Sequence, residues 1–118
     1  MEWTLRREIE LSFSRLSIAG MRLGEDIVLC VGGGDRPHVG CTVQAVPRAS
    51  LTGDGGVSVT SSVLSLTGHK DEEICRRLAE RCAKKYNAVT VCTGGFHVDG
   101  ITGEQIGEVL RAVEETEL

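Results

Sequence analysis

Ile27-Val28-Leu29-Cys30-Val31-Gly32-Gly33-Gly34-Asp35-Arg36-Pro37-His38-Val39-Gly40 is the stretch on which the reading of the chain turns. Its first five residues form an apolar run of the length of a buried strand. Three glycines follow. A residue without Cβ lets other groups approach the backbone closely and takes positive φ at no steric cost. An acid, a guanidinium, a rigid proline and an imidazole come next, before apolar character resumes at Val39. A plain connection between strands needs about two to five residues, so this one is longer and chemically richer than reversing the chain requires. On this stretch alone, a binding loop and a wide hairpin are both open.

On the N-terminal side, Ile9-x-Leu11-x-Phe13 alternates and Leu16-x-Ile18 resumes after Ser14-Arg15. That pattern predicts one strand with a β-bulge absorbing the change of phase. Turn signals occupy Gly20 to Asp26. On the C-terminal side, Val39 to Val46 reads as a strand broken at Pro47, which removes a ladder donor. Leu51-Thr52-Gly53-Asp54-Gly55-Gly56 reads as a hairpin turn centred on Asp-Gly, and Val57 to Leu66 as the fourth strand. Short connections predict an antiparallel meander.

The period then changes. Ile74, Leu78, Cys82 and Tyr86 recur every fourth residue, flanked by Cys75, Ala79 and Ala83, with Glu72, Arg76, Arg77, Glu80, Arg81 and Lys84 opposite. Asp71 to Tyr86 is therefore an amphipathic helix, ended at Asn87. Ala88 to Thr93 is a short central strand, and a second glycine loop, Gly94 to Gly100, follows it. Thr102 with Gln105 forms a capping box, and Ile106, Val109, Leu110 and Val113 give a second helical stripe. Glu114, Glu115 and Glu117 oppose the helix dipole, which predicts a frayed final turn. The expected architecture is α+β over residues 1–118: one largely antiparallel sheet with two helices on one face. Apolar residues on both sides of Ile27 to Val31 leave a second face to cover, which predicts a homodimer.

Composition limits what such a domain can do. Thirteen Lys and Arg against seventeen Asp and Glu give a net charge of −4, and no basic block occurs to neutralise phosphates, so no nucleic-acid partner is expected. No run reaches membrane-spanning length. The start of the chain lacks an apolar signal core, so the expected place is the cytoplasm. Five cysteines without C-x-x-C spacing read as small buried hydrophobes in a reducing compartment.

The three histidines all fall in glycine-containing segments: Arg36-Pro37-His38, Gly68-His69-Lys70 and Gly95-Phe96-His97-Val98-Asp99. If these loops converge, backbone N–H groups, Lys70, Arg36 and three imidazoles would surround a phosphate or another anion. Lys70 also directly precedes a helix, whose first turn favours anions. Three histidines with Asp35 or Asp99 could instead bind zinc, and three separately solvated loop histidines are the plain alternative. No phosphate-binding P-loop or dinucleotide fingerprint is present.

Gly33-Gly34-Asp35-Arg36-Pro37-His38-Val39-Gly40, Gly68-His69-Lys70-Asp71-Glu72 and Gly95-Phe96-His97-Val98-Asp99-Gly100-Ile101-Thr102 resemble three signature loops of the small D-subunit proteins associated with gallate decarboxylase. These are the prenylated-flavin chaperones of UbiD-type decarboxylases. The resemblance runs in order over roughly residues 5 to 112, with Thr67 standing where a proline is expected. It implies a dimeric α+β protein similar in fold to proteasome-assembly chaperones. The implied job is to bind reduced prenylated FMN and hand it to an apo-decarboxylase rather than to catalyse. The residues it would assign to the flavin are Gly33, Asp35, Pro37, His38 and Gly40, then Gly68, His69 and Lys70, then His97 and Asp99. Arg36 joins Lys70 as a candidate for the flavin phosphate. A small metal-dependent or histidine acid–base enzyme, and an assembly protein with no small-molecule site, are the competing expectations.

Overall fold

The computed structural model describes residues 1–51, 53–66 and 69–118, with the His69 side chain outside the described set. Among the described residues, six strands and two helices follow one another as β1 Leu5–Glu10, β2 Arg15–Leu23, β3 Asp26–Gly34, β4 Cys41–Ala49, β5 Val57–Ser65, α1 His69–Tyr86, β6 Thr90–His97 and α2 Gly103–Glu115. They build one sheet in the order β1-β2-β3-β6-β4-β5. Among the described residues, the β3–β6 pair alone is parallel.

The expected α+β architecture is present, with corrections that have physical causes. Ser14-Arg15 is not a bulge. Leu11 N–H donates to the Ser14 carbonyl at 2.8 Å, so the break in alternation marks a reversal between two strands. β2 then continues through Gly20 to Leu23 and turns only at Gly24, whose φ is 63°. The meander is interrupted as well, because β6 inserts between β3 and β4. Pro47 does not end β4. It lies opposite Val59, while β6 pairs with β4 only as far as Ala45, so its missing donor has no partner to disappoint on that side. The hairpin after β4 closes with Ser50 N–H on the Gly56 carbonyl at 3.0 Å.

Side chains on one face of the sheet, among them Leu16, Ile18, Leu29, Val31, Val43 and Cys92, are buried with Ile74, Cys75, Leu78 and Cys82 of α1 and Val109 and Val113 of α2. Phe96, read from sequence as a loop aromatic, is fully buried in this core and meets Phe13 edge-on at 6.0 Å. Cys41, Cys75, Cys82 and Cys92 are buried as expected, whereas Cys30 is only half-buried. Asn87 ends α1 at φ 50°. Thr102 caps α2, accepting from Gln105 N–H at 3.1 Å while the Gln105 side chain accepts from Thr102 N–H at 3.0 Å.

The last turn of α2 is not frayed. Arg81 of α1 donates to the carbonyls of Val113, Glu114 and Thr116 at 2.9, 2.7 and 2.7 Å. A guanidinium at a helix C-terminus satisfies orphan carbonyls and offsets the acids beside them. Among the described residues no helix is long and apolar enough to cross a membrane.

Candidate functional site

Strand order alone brings two of the glycine segments together. β3 and β6 run side by side and finish together, Gly34 opposite His97. Because β6 occupies the slot between β3 and β4, the chain from Asp35 to Gly40 has to pass across the end of β6. It is tied there by Asp35 N–H on the His97 carbonyl at 2.7 Å and Gly40 N–H on the Gly94 carbonyl at 3.0 Å. Close approach sets the residue type at two points. A Cβ on Gly95 would lie 2.8 Å from His38 Cε1, and one on Gly40 would lie 2.8 Å from His38 Nε2 and collide with the Asp71 carboxylate. Glycine at both positions lets the imidazole lie against the backbone.

Asp71 is the anchor of this arrangement. Its side chain is 6% exposed. Oδ1 accepts from the Phe96 backbone N–H and from Lys70 Nζ, each at 3.0 Å, and Oδ2 lies 3.1 Å from His38 Nε2. Lys70 also donates to the Phe96 carbonyl. A buried carboxylate needs such donors to offset its desolvation. Lys70 is therefore turned inward, 18% exposed, and its charge is shared with Asp71.

Farther out, Asp99 Oδ1 accepts from His97 Nε2 at 2.8 Å and from Arg36 at 3.2 Å. The hydrogen bond from His97, followed by the charge of Arg36, holds the Asp99 carboxyl below its usual range. The His38 and His97 rings meet edge-on with centroids 6.3 Å apart. Arg36, His38 and His97 line a cavity of about 270 Å³, and their side chains are 71%, 41% and 40% exposed. The next cavity along the same loop, about 340 Å³, is lined by Val39, Thr42, Leu64 and Leu66. A smaller cavity of about 130 Å³ lies at the far end of β3, near Ile27 and Tyr86 and away from the histidines.

Of the residues singled out from sequence, Arg36, His38, His97 and Asp99 meet here, with Gly40 and Lys70 behind them. Gly33 is not part of the cavity. A Cβ on it would reach 2.9 Å from the core ring of Phe96. Asp35 is exposed beside the site. Gly68 and the His69 side chain lie outside the described residues. Asp71 was missed as a site residue, although a signal existed: it sits three and four positions before Ile74 and Cys75, on the apolar stripe of α1. An acid on a buried stripe asks for partners.

The exposed Arg36 guanidinium offers donors to an anion, while His38 Nδ1, His38 Nε2 and His97 Nε2 are already directed at protein oxygens. Among the described residues, no group of three or more His, Cys, Asp or Glu side chains is placed to hold a metal ion. Three of the thiols are shifted away from activation. Burial pushes Cys41 up to about 11 and raises Cys82, and a hydrogen bond with Cys75 together with burial raises Cys92. A nucleophilic cysteine needs the opposite shift.

Residues 12–117 match the family model of the prenylated flavin chaperone LpdD-like domain. No curated protein matches. Among solved structures, a chain from the crystal structure of a chaperone complex for yeast 20S proteasome assembly superposes with a TM-score of 0.61, at 16% identity, over 94% of this chain and 88% of that one. At that identity the likeness concerns the fold.

Proposed function

The chain belongs to the prenylated flavin chaperone LpdD-like family, and from that premise we propose that it holds reduced prenylated FMN and passes it to an apo UbiD-type decarboxylase, itself catalysing no decarboxylation. The single observation that carries the reading beyond the family is the shared cavity of Arg36, His38 and His97. The exposed guanidinium of Arg36 fits the phosphate monoester of a flavin nucleotide. Asp35 and Asp99, at its rim, fit the N–H groups of a reduced ring, which an oxidised ring lacks at the same positions. Gly33, Gly68 and His69 stay in the proposed set on the strength of the loop resemblance, Gly33 and Gly40 as backbone supports. Lys70 is assigned to the support of the site rather than to the phosphate, because its charge is already engaged by Asp71 and the Phe96 carbonyl.

The reduced prenylated flavin would be cargo, its ring chemistry used in the decarboxylase; this chain would bind it and let it go. Exposed donors suit release, since surface charges bind modestly and lose strength in salt. In this reading residues 1–118 act as one domain, as a homodimer, in the cytoplasm.

Anaerobic titration with reduced prenylated FMN, and with oxidised FMN as reference, tests the reading. The reduced form is expected to bind more tightly, to weaken in Arg36→Ala and His97→Ala, and to activate an added apo-decarboxylase faster than free cofactor does. Equal or absent binding of the two forms would overturn it.

A further inference from the structure

Hydrogen-bond accounting around His38 leads one step deeper into the same site. Nδ1 donates to the Arg36 carbonyl at 3.1 Å, and Nε2 lies 3.1 Å from Asp71 Oδ2. Both ring nitrogens thus face oxygens that can only accept. A neutral imidazole has one N–H and satisfies one of them, whereas the imidazolium satisfies both. The charged and titratable groups around this ring, among the described residues, are Asp71 and Lys70 from α1, Arg36 from the loop, and His97 from β6 with Asp99 behind it. Asp71 is the one in contact with the free nitrogen, and its other oxygen is held by Phe96 N–H and Lys70. It therefore cannot turn away without leaving a buried donor unpaired.

We propose that Asp71 is the positioning residue of this site, its buried carboxylate fixing His38 as a doubly protonated ring so that a positive imidazolium faces the anionic end of the ligand. The proposal rests on the anion-binding reading above for its ligand and on geometry alone for the Asp71–His38 pair. Asp71→Asn separates the two roles. Its amide oxygen still accepts from Phe96 N–H and Lys70, but its NH₂ donates to Nε2, which suits a neutral ring with its proton on Nδ1.

Ring-nitrogen NMR on the unliganded full chain should show the wild-type His38 ring keeping its second proton to higher pH than in Asp71→Asn. Superimposable titrations in the two proteins overturn the proposal. Inorganic sulfate, a dianion throughout the range, titrated from about pH 8 to about pH 6, where imidazole changes charge, should bind wild type more tightly as pH falls. Asp71→Asn should lose about tenfold at the acid end, the worth of one nearby positive charge, since both His38 N–H groups stay bonded to the protein, together with most of the pH slope. A merely structural Asp71 would lower the melting temperature and leave that slope intact. If Asp71→Asn does not fold, His38→Gln decides: loss of the slope supports the proposal, and an unchanged slope overturns it. The ring measurement uses no flavin, so failure of prenylated FMN to bind would sink the carrier reading without touching this one.

Discussion

At the scale of single residues, Lys70 and Gly95 show how a loop motif divides into contacts and supports. Lys70 looks from sequence like a phosphate ligand at a helix start, yet its ammonium is bonded to Asp71 and to the Phe96 carbonyl. Lys70→Ala is therefore expected to cost about 1–3 kcal/mol of stability, because it removes a donor from a buried carboxylate that keeps two others. Urea unfolding measures this, and a variant as stable as wild type but with abolished binding would return Lys70 to the ligand. Gly95 behaves in the opposite way. A Cβ there would press within 2.8 Å of the His38 ring and 2.9 Å of the His38 carbonyl, so Gly95→Ala should shift the loop. The expected result is at least a tenfold loss of flavin binding, roughly 1.4 kcal/mol, with the far-ultraviolet circular dichroism unchanged. Arg36, His38, His97 and Asp99 were legible because imidazoles and a guanidinium beside glycines announce themselves within one loop. Asp71 was hard to read, since an acid in the first turn of a helix already has a routine explanation in the dipole. Its partners come from segments 33 and 25 positions away.

Some elements with local signals were read correctly, others were misread locally, as at Ser14-Arg15 and Gly20 to Leu23, and further features were missed because a distant element decides them. The capping box at Thr102 lies within four residues and is present as read. Fraying of the end of α2 was read from its own acids, but Arg81, an exposed-face cation by the pattern of α1, reaches three carbonyls there. Likewise the strand pattern could not say that β6 enters between β3 and β4, because insertion is a matter of which edge the α1 crossover returns to. The same non-locality holds α2 to the β1–β2 turn, where Glu108 accepts from the Ser12 hydroxyl and the Ser12 N–H, each at 2.6 Å. Those bonds, the hydroxyl first, hold the Glu108 carboxyl below its usual value. A carboxyl depressed in the folded state stabilises it above the unfolded value, about 4.3, and loses that contribution as pH falls through the folded value. Glu108→Gln should accordingly be less stable than wild type at neutral pH. The difference in melting temperature, a few degrees, should close as pH is lowered through the folded value. A difference that persists unchanged at lower pH would place the effect elsewhere.

The whole molecule presents one covered and one bare face of its sheet, and the bare face is where the proposed homodimer would place its second copy. Alternation puts Ile27, Leu29 and Val31 in the core, which leaves Val28 and Cys30 pointing out, half-buried. Register places Met21 and Val91 on either side of Val28, and Ala19 and Thr93 on either side of Cys30. This apolar centre runs across the middle three strands and carries no charge. Six strands spaced about 4.8 Å apart, each about nine residues long at about 3.3 Å, make a face of roughly 800 Å². That is the area each partner contributes to a stable interface. The β3–β4 loop borders this face, since a Cβ on Gly32, which is on the outward side of β3, would meet Pro37 at 3.4 Å. A dimer formed here would thus hold the two cationic cavities at its margin, open to a client enzyme. Sedimentation is expected to give twice the 12.7 kDa of the chain. Val28→Arg, which sets two like charges against each other across the two-fold axis, should give a folded monomer. Persistence of the dimer in that variant would move the interface to the β1 or β5 edge, and a monomeric wild type would remove the homodimer altogether. Flavin titration of the folded monomer then separates two geometries: unchanged affinity means that each chain holds its own cofactor, and lost affinity means that the neighbouring chain completes the cavity.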